Sequence, residues 1–273
     1  MQSVLNIDEY FKRIDYKGPE VATLKVLRDL HLLHPKSIPF ENLSPFLGIP
    51  VKLDVDSLQQ KLVQDGRGGY CFEQNLLFKE VLEKVGFSVQ GLAARILWNQ
   101  SSGKISPRGH MLLLVQIDKK YYISDVGFGG LGPTTPLLLE PDITQQTPHE
   151  NYQFKQHNND FTLYSDVKGE WKPLYQFNLD RHYLEDYEIT NWYLSNHPES
   201  HFVTGLIAAR PDTDPARRYS LKGNRHSVHY FGVGTEKKRI NSIDELKDIL
   251  ETRFRITLSD LPQLDNRLEQ VIQ

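Results

Sequence analysis

The chain has 273 residues, enough to bury a sizeable core as one large domain or two to three small ones. Hydrophobic residues make up 39% and charged residues 25%, ordinary globular usage that sets aside the disordered and fibrous classes. Its 32 Lys+Arg against 35 Asp+Glu give a net charge of −3, too even for a dedicated nucleic-acid binder, so no nucleic-acid partner is expected.

At the start of the chain Asp8 and Glu9 stand where a secretion signal would need a basic and then an apolar run. No stretch approaches the ~18 apolar residues of a membrane span. A cytoplasmic protein with no membrane partner is expected. Apolar residues then recur at helical spacing, Ile7, Tyr10, Phe11 and Ile14 followed by Val21, Leu24, Leu27 and Leu30, with Lys17-Gly18-Pro19 breaking the run into two short helices. Pro35, Pro39, Pro45 and Pro50 punctuate the next segment. A helix restarts near Asp56, read as its cap, and ends at Gly66, Gly68 and Gly69. A stronger helix runs from Cys71 through Phe72, Leu76, Leu77, Val81, Leu82 and Val85, with Gly86 placed to end it.

Beyond Phe87 the texture changes to apolar and aromatic runs between turn residues, which predicts strands over Phe87–Ile96, His110–Ile117, Tyr121–Phe128 and Phe161–Tyr164. The last segment reads as α/β, with strands around Phe202–Ala209 and Ser227–Val233 and a closing helix over Ser242–Phe254, led by Asp244 and Glu245. There is no internal repeat or low-complexity tract, and only Pro136–Pro148 hints at a linker. The expected division is a helical bundle over 1–86, a β-rich domain over 87–190 and an α/β domain over 191–273.

The single cysteine excludes an intramolecular disulfide and a Cys-rich metal site. Cys71 follows Arg67-Gly68-Gly69-Tyr70 and opens a helix, where free N–H groups and the positive end of the helix dipole favour a thiolate and can stabilise an oxyanion. The bland alternative is a small buried hydrophobe. A nucleophilic cysteine needs a base and a group to orient it. His110 and Asp125 flank an apparent hairpin. If Asp118-Lys119 is its two-residue loop, Gln116 pairs with Tyr121, Leu112 faces Asp125, and the aspartate becomes a diagonal neighbour of His110 on one face. A slip of one residue destroys that arrangement.

The histidine pairs His31/His34, His197/His201 and His226/His229 lack a third ligand or a metal-site pattern, which favours structural roles. The run Gly127-Phe128-Gly129-Gly130-Leu131-Gly132 offers backbone N–H groups to a phosphate but matches neither standard nucleotide signature, so a plain glycine turn stays open.

Taken together, Arg67-Gly68-Gly69-Tyr70-Cys71-Phe72-Glu73-Gln74-Asn75 resembles the nucleophile signature of the arylamine N-acetyltransferases, in their bacterial type. The same family is matched in order by Ile38-Pro39-Phe40-Glu41-Asn42-Leu43, Ala94-Arg95-Ile96, His110, Asp125-Val126-Gly127-Phe128-Gly129-Gly130, Asn191-Trp192-Tyr193 and Pro198-Glu199-Ser200-His201-Phe202. The resemblance implies an α+β fold in three parts: an N-terminal helical bundle carrying Cys71, a β-barrel-like domain carrying His110 and Asp125, and a C-terminal α/β lid, around a papain- or transglutaminase-like Cys-His-Asp core. It implies acetyl-CoA as co-substrate with no permanently bound cofactor and no metal. Cys71 would take the acetyl group and pass it to an arylamine, hydrazine or N-hydroxyarylamine, a xenobiotic-metabolising role. It implies further that Phe40, Phe128 and Phe202 line the acceptor pocket, that Gly127, Gly129 and Gly130 help seat CoA, and that Arg67 with Glu41 supports the Cys71 turn.

This chain departs from the family pattern at Gly109, which would widen the cleft or alter CoA contacts, and in the polar segment Asn99–Lys104, from which no residue carries over. The rival readings are a thiol hydrolase or transglutaminase-like acyltransferase built on the same triad, and a silent binding protein. The oligomeric state is open at the level of sequence.

Overall fold

A computed structural model describes residues 5–100, 105–214 and 216–273. Four residues of the Asn99–Lys104 segment, 101–104, lie outside them. The chain opens with α1 (Ile7–Ile14), capped by the Asn6 side chain, and α2 (Leu24–Ser37), capped by Thr23. A two-residue strand β1 (Phe40–Glu41) and a short helix α3 (Leu43–Phe46) follow. The next helix, α4 (Val55–Gln59), is capped by Asp54 and not by the expected Asp56: Asp54 is extended and its carboxylate accepts the Ser57 N–H at 2.9 Å. A π-helical turn over Gln60–Gln64 leads to α5 (Cys71–Val85), which ends where Gly86 takes a φ of 105°.

The middle of the chain builds an almost closed, barrel-like antiparallel sheet. Its members are β2 (Ser88–Ile96), β3 (His110–Ile117), β4 (Lys120–Ser124), β5 (Leu137–Leu138), β6 (Gln145–Gln146), β7 (Asn151–His157), β8 (Asp160–Val167) and β9 (Glu170–Phe177), in the order β5-β4-β3-β2-β9-β8-β7-β6. The β3–β4 register pairs Gln116 with Tyr121, as expected. Asp118 and Lys119 both have positive φ, 49° and 64°, the two-residue loop that matches the twist of a hairpin. In the β8–β9 ladder the register slips between Leu163 and Tyr164, opposite Pro173, which has no N–H to give.

The expected strand over Phe202–Ala209 divides in two. Asn191–Leu194 lies within helix α6 (Leu184–Asn196), and Phe202 lies in α7 (His201–Thr204), which starts where Ser200 accepts the Phe202 N–H. The chain then forms β10 (Ile207–Thr213), β11 (Ala216–Lys222), β12 (Arg225–Tyr230) and β13 (Gly234–Arg239), then α8 (Ile243–Thr252) and α9 (Leu264–Ile272). The second sheet runs β1-β10-β11-β12-β13, so a strand from the first third of the chain completes a sheet made by the last. The fold is α+β. One apolar core joins α1, α2 and α5 to the outer face of β2 and β3, a second fills the barrel on their other face, and a third lies between the second sheet and α8 and α9. Among the described residues no helix is long and apolar enough to cross a membrane.

Candidate active site

The first residue of α5 is Cys71, and the turn before it is held from several sides. Glu73 accepts the Tyr70 N–H at 3.1 Å, while Gln74 donates from one amide nitrogen to the carbonyls of Pro39 at 2.7 Å and Gly69 at 3.1 Å. A Cβ at Gly68 would lie 2.1 Å from the Pro39 carbonyl oxygen, so only glycine admits β1 this close. The Arg67–Glu41 pair is not a surface pair. Both residues are buried, with Arg67 Nε 3.0 Å and Nη2 2.7 Å from Glu41 Oε1. Burial opposes ionisation of Glu41, yet Arg67, Lys61 and the Leu43 N–H outweigh it and hold its carboxyl below the usual range.

His110 begins β3 and Asp125 follows β4, and the hairpin register brings them together. His110 Nε2 lies 2.7 Å from Asp125 Oδ2, with both residues buried. That leaves Nδ1 for the thiol of Cys71, which lies beside the imidazole and donates to the Gly109 carbonyl at 3.7 Å. Burial alone would lower the His110 pKa. The Asp125 carboxylate and Cys71 reverse that and push it up to about 10. Burial likewise works against the Asp125 carboxylate, but His110, Asn75 and the Gly127 N–H hold its carboxyl below the usual range.

Asn75 is the residue that sequence reasoning passed over. One turn beyond Cys71 on α5, it donates to the Met111 carbonyl at 2.8 Å and to Asp125 Oδ1 at 3.1 Å, and it accepts the Val126 N–H at 3.1 Å. It thereby ties the helix that Cys71 opens to the strands that carry His110 and Asp125. The signal was available: residues four apart share a helix face. Gly127 donates its N–H to Asp125 Oδ1 at 3.0 Å, and a Cβ there would meet the Cys71 Cα at 2.8 Å. Its backbone thus serves the carboxylate and the helix start.

The phenylalanines surround this centre. Phe128 stands edge-on to His110 with ring centroids 5.4 Å apart, and Phe40 and Phe202 are 6.1 Å apart. Phe40 and Phe128 line one narrow cavity with Asp125 and Gly129, whereas Phe202 is buried behind Phe40 against Tyr70. The fully buried Tyr175, another residue the sequence did not flag, packs its ring on both His110 and Phe128. Burial, with Asp125 beside it, keeps its phenol protonated. Among the described residues, a Cβ at Gly109 would meet nothing nearer than the Pro107 carbonyl oxygen, at 4.0 Å.

His31 and His34 are buried inside the fold. His34 sits between the Tyr10 hydroxyl at 2.7 Å and Gln74 Oε1 at 2.6 Å, and His31 between Ser124 Oγ and the Pro133 carbonyl, each at 2.9 Å. His226 stacks on Tyr219 within the second sheet, and His197 stacks on Tyr193.

A family model described as N-acetyltransferase matches residues 23–262. The chain is 42% identical over 266 residues to an arylamine N-acetyltransferase of Mycolicibacterium smegmatis, covering 96% of this chain and 95% of that one. It is 36% identical over 261 residues to one of Escherichia coli K12, covering 95% and 91%. Among solved structures, the arylamine N-acetyltransferase of Mycobacterium marinum in complex with CoA superposes with a TM-score of 0.93 at 37% identity, covering 98% of this chain and 100% of the other. That of M. tuberculosis superposes at 0.92 with 41% identity, covering 96% and 99%.

Proposed function

Because the chain belongs to the arylamine N-acetyltransferase family, and is thus an acyltransferase with acetyl-CoA as co-substrate, we propose that it moves the acetyl group through a thioester on Cys71 to arylamines, hydrazines or N-hydroxyarylamines by double displacement. The observation that carries this reading is the chain of contacts from the Cys71 thiol to His110 and on to Asp125, 2.7 Å from the imidazole. His110 takes the thiol proton at Nδ1, and the thiolate sulfur attacks the thioester carbonyl. CoA leaves as its thiol, regaining the proton from the imidazolium. An incoming amine then attacks the acetyl-cysteine, His110 accepts its proton as the tetrahedral intermediate forms, and the Cys71 sulfur is released. Asp125 stabilises the imidazolium and fixes the tautomer, and the N–H groups that open α5 face the developing oxyanion.

Phe40 and Phe128, with Phe202 behind them, form the apolar slot for an aryl ring. The N–H groups of Gly129 and Gly130, which donate to nothing among the described residues, are offered to the donor's pyrophosphate, with Gly127 as the fixed start of that turn. The test is intact-protein mass spectrometry after brief incubation with acetyl-CoA. The expected result is one acetyl adduct, absent from Cys71→Ala and removed by an added arylamine. An unmodified protein whose thiol still reacts with iodoacetamide would refute the mechanism.

A further inference from the structure

Glycine at both 68 and 69 leaves the backbone just before Cys71 without a side chain by which the rest of the fold can hold it, and glycine is the residue least restricted by its own sterics. Tyr70 is the first side chain after them and adjoins the cysteine. Glu73 and Gln74 fasten this turn to α5 itself and to β1. Those bonds do not reach β3, on which His110 stands. A different element does.

Helix α6 holds both neighbours of Cys71. Its buried residues Tyr187, Asn191 and Ser195 are four apart and form one inward row. Tyr70 is fully buried, and its hydroxyl donates to Asn191 Oδ1. Burial, with Glu73 beside it, raises the phenol above its ordinary value, which keeps it a donor. Asn191 Nδ2 donates in turn to the Val51 carbonyl at 3.0 Å. On the other side of the cysteine, Phe72 packs against the Tyr187 ring with centroids 5.6 Å apart. The Tyr187 hydroxyl donates to the Leu92 carbonyl of β2 at 3.1 Å, and β2 pairs with β3 so that Ala94 stands opposite His110. Gly91 leaves room for this contact, since a Cβ there would lie 2.5 Å from that hydroxyl. One helix therefore links the residues flanking the thiol to the sheet that carries His110.

Packing alone does not call for an asparagine here. At 7% exposure its amide bears a desolvation cost that a leucine of similar volume would not. The outward side of α6 gives the helix little apolar seating, with Ile189 and Trp192 standing exposed. Apolar burial is also non-directional, whereas an amide–phenol hydrogen bond fixes a distance and an angle. We infer that Asn191 is a positioning residue for the acyl transfer: acting through Tyr70, it fixes the Cys71 sulfur against His110. The inference rests on the acetyl-cysteine reading above and adds the group that sets its geometry. A misplacement of about 1 Å in such an alignment can cost roughly 10²-fold in rate.

The test compares the wild-type enzyme with Y70F, which removes only the phenol hydroxyl, with N191L, which keeps the side-chain volume, with the double variant, and with I189A on the exposed side of α6. Rapid-quench mass spectrometry should show the rate of Cys71 acetylation at saturating acetyl-CoA falling by roughly 10- to 100-fold in Y70F and N191L, with the half-saturating concentration unchanged. Alkylation of the thiol by iodoacetamide, counted per folded molecule, should slow in the same variants. I189A should match the wild type in both assays. The double variant should be no slower than N191L, because both changes break the same bond. An asparagine that only stabilises the fold gives another pattern: lower melting temperatures, with the folded fraction reacting at wild-type rates toward both reagents. That result would overturn the positioning role, and Y70F decides the matter alone if N191L does not fold. Failure of the acetyl-cysteine reading itself looks different, since the wild type then takes no acetyl group while the alkylation rates still separate the variants from it.

Discussion

At the scale of single residues, the raised basicity of His110 depends on two neighbours, Asp125 foremost. Burial lowers its pKa, and only Asp125 and Cys71 carry it to about 10. Asp125→Asn should leave burial in command, so the imidazole should titrate below its ordinary value of 6.5, read directly by NMR. Acetyl transfer should fall by roughly 10³–10⁴-fold, as in other enzymes that lose the orienting carboxylate. Asn75→Ala removes one donor from Asp125 and the tie between α5 and Val126, and roughly 10- to 100-fold of activity is the expected loss, accompanied by a downward shift of the His110 titration. A merely structural asparagine would cost stability without moving that titration. Cys71, His110 and Asp125 were legible in the sequence because a glycine turn, a helix start and a short hairpin are local features. Asn75 was legible only as helix spacing. Tyr175 was not, because it meets His110 from β9, across strands whose pairing no short motif specifies.

At the scale of elements, α2 is anchored by two imidazoles that the fold keeps neutral. Burial lowers the pKa of His31 to about 4 and of His34 to about 3, below the 6.5 of an exposed histidine. Between those values the unfolded chain binds protons that the folded one refuses, so stability should fall as pH drops from 6.5 toward 4, by about 2 kcal/mol for each histidine at pH 5 relative to pH 7. His149, also lowered to about 4, acts in the same sense. His110 acts oppositely: its folded value of about 10 contributes stability that is complete below 6.5 and fades as pH rises toward 10. Urea midpoints should therefore decline on both sides of neutrality, and His34→Gln should flatten the acid limb while leaving the alkaline one. Elements followed the sequence wherever their signal was local: the Gly86 stop, the Asp118-Lys119 turn and the closing helix led by Asp244 and Glu245 all stand where expected. Asp54 displaced Asp56 as a cap because capping depends on backbone conformation, and both residues are equally good in composition. β1 escaped notice because two residues carry no period, and its pairing with β10 spans the molecule.

At the scale of the whole molecule, the cleft exists because the barrel and the second sheet are clamped at one end. Arg218 of β11 is buried and donates through Nε to both oxygens of Glu150 at 2.9 Å, while its Nη2 reaches the Gly132 carbonyl at 2.9 Å. The Tyr152 hydroxyl donates to the carbonyl of Leu131 at 3.0 Å, and His149 joins Thr134 to the Asp212 carbonyl, each contact 2.9 Å. The far end of the Gly127–Gly132 turn is thereby fixed to the sheet that faces it, as its near end is fixed to Asp125. A buried ion pair contributes little net stability against an apolar replacement, but removing one partner strands the other. Arg218→Met or Glu150→Gln alone should cost about 3–5 kcal/mol, whereas the double variant should cost less than the sum of the two. Urea unfolding of the four members of that cycle measures the coupling. Because the clamp joins the barrel to the second sheet, the single variants should also broaden the transition as the two parts begin to unfold separately. If the single costs add without coupling and the transition stays sharp, the pair is not what holds the two walls of the cleft together, and the apolar contacts around Phe40 and Gly129 must do so instead.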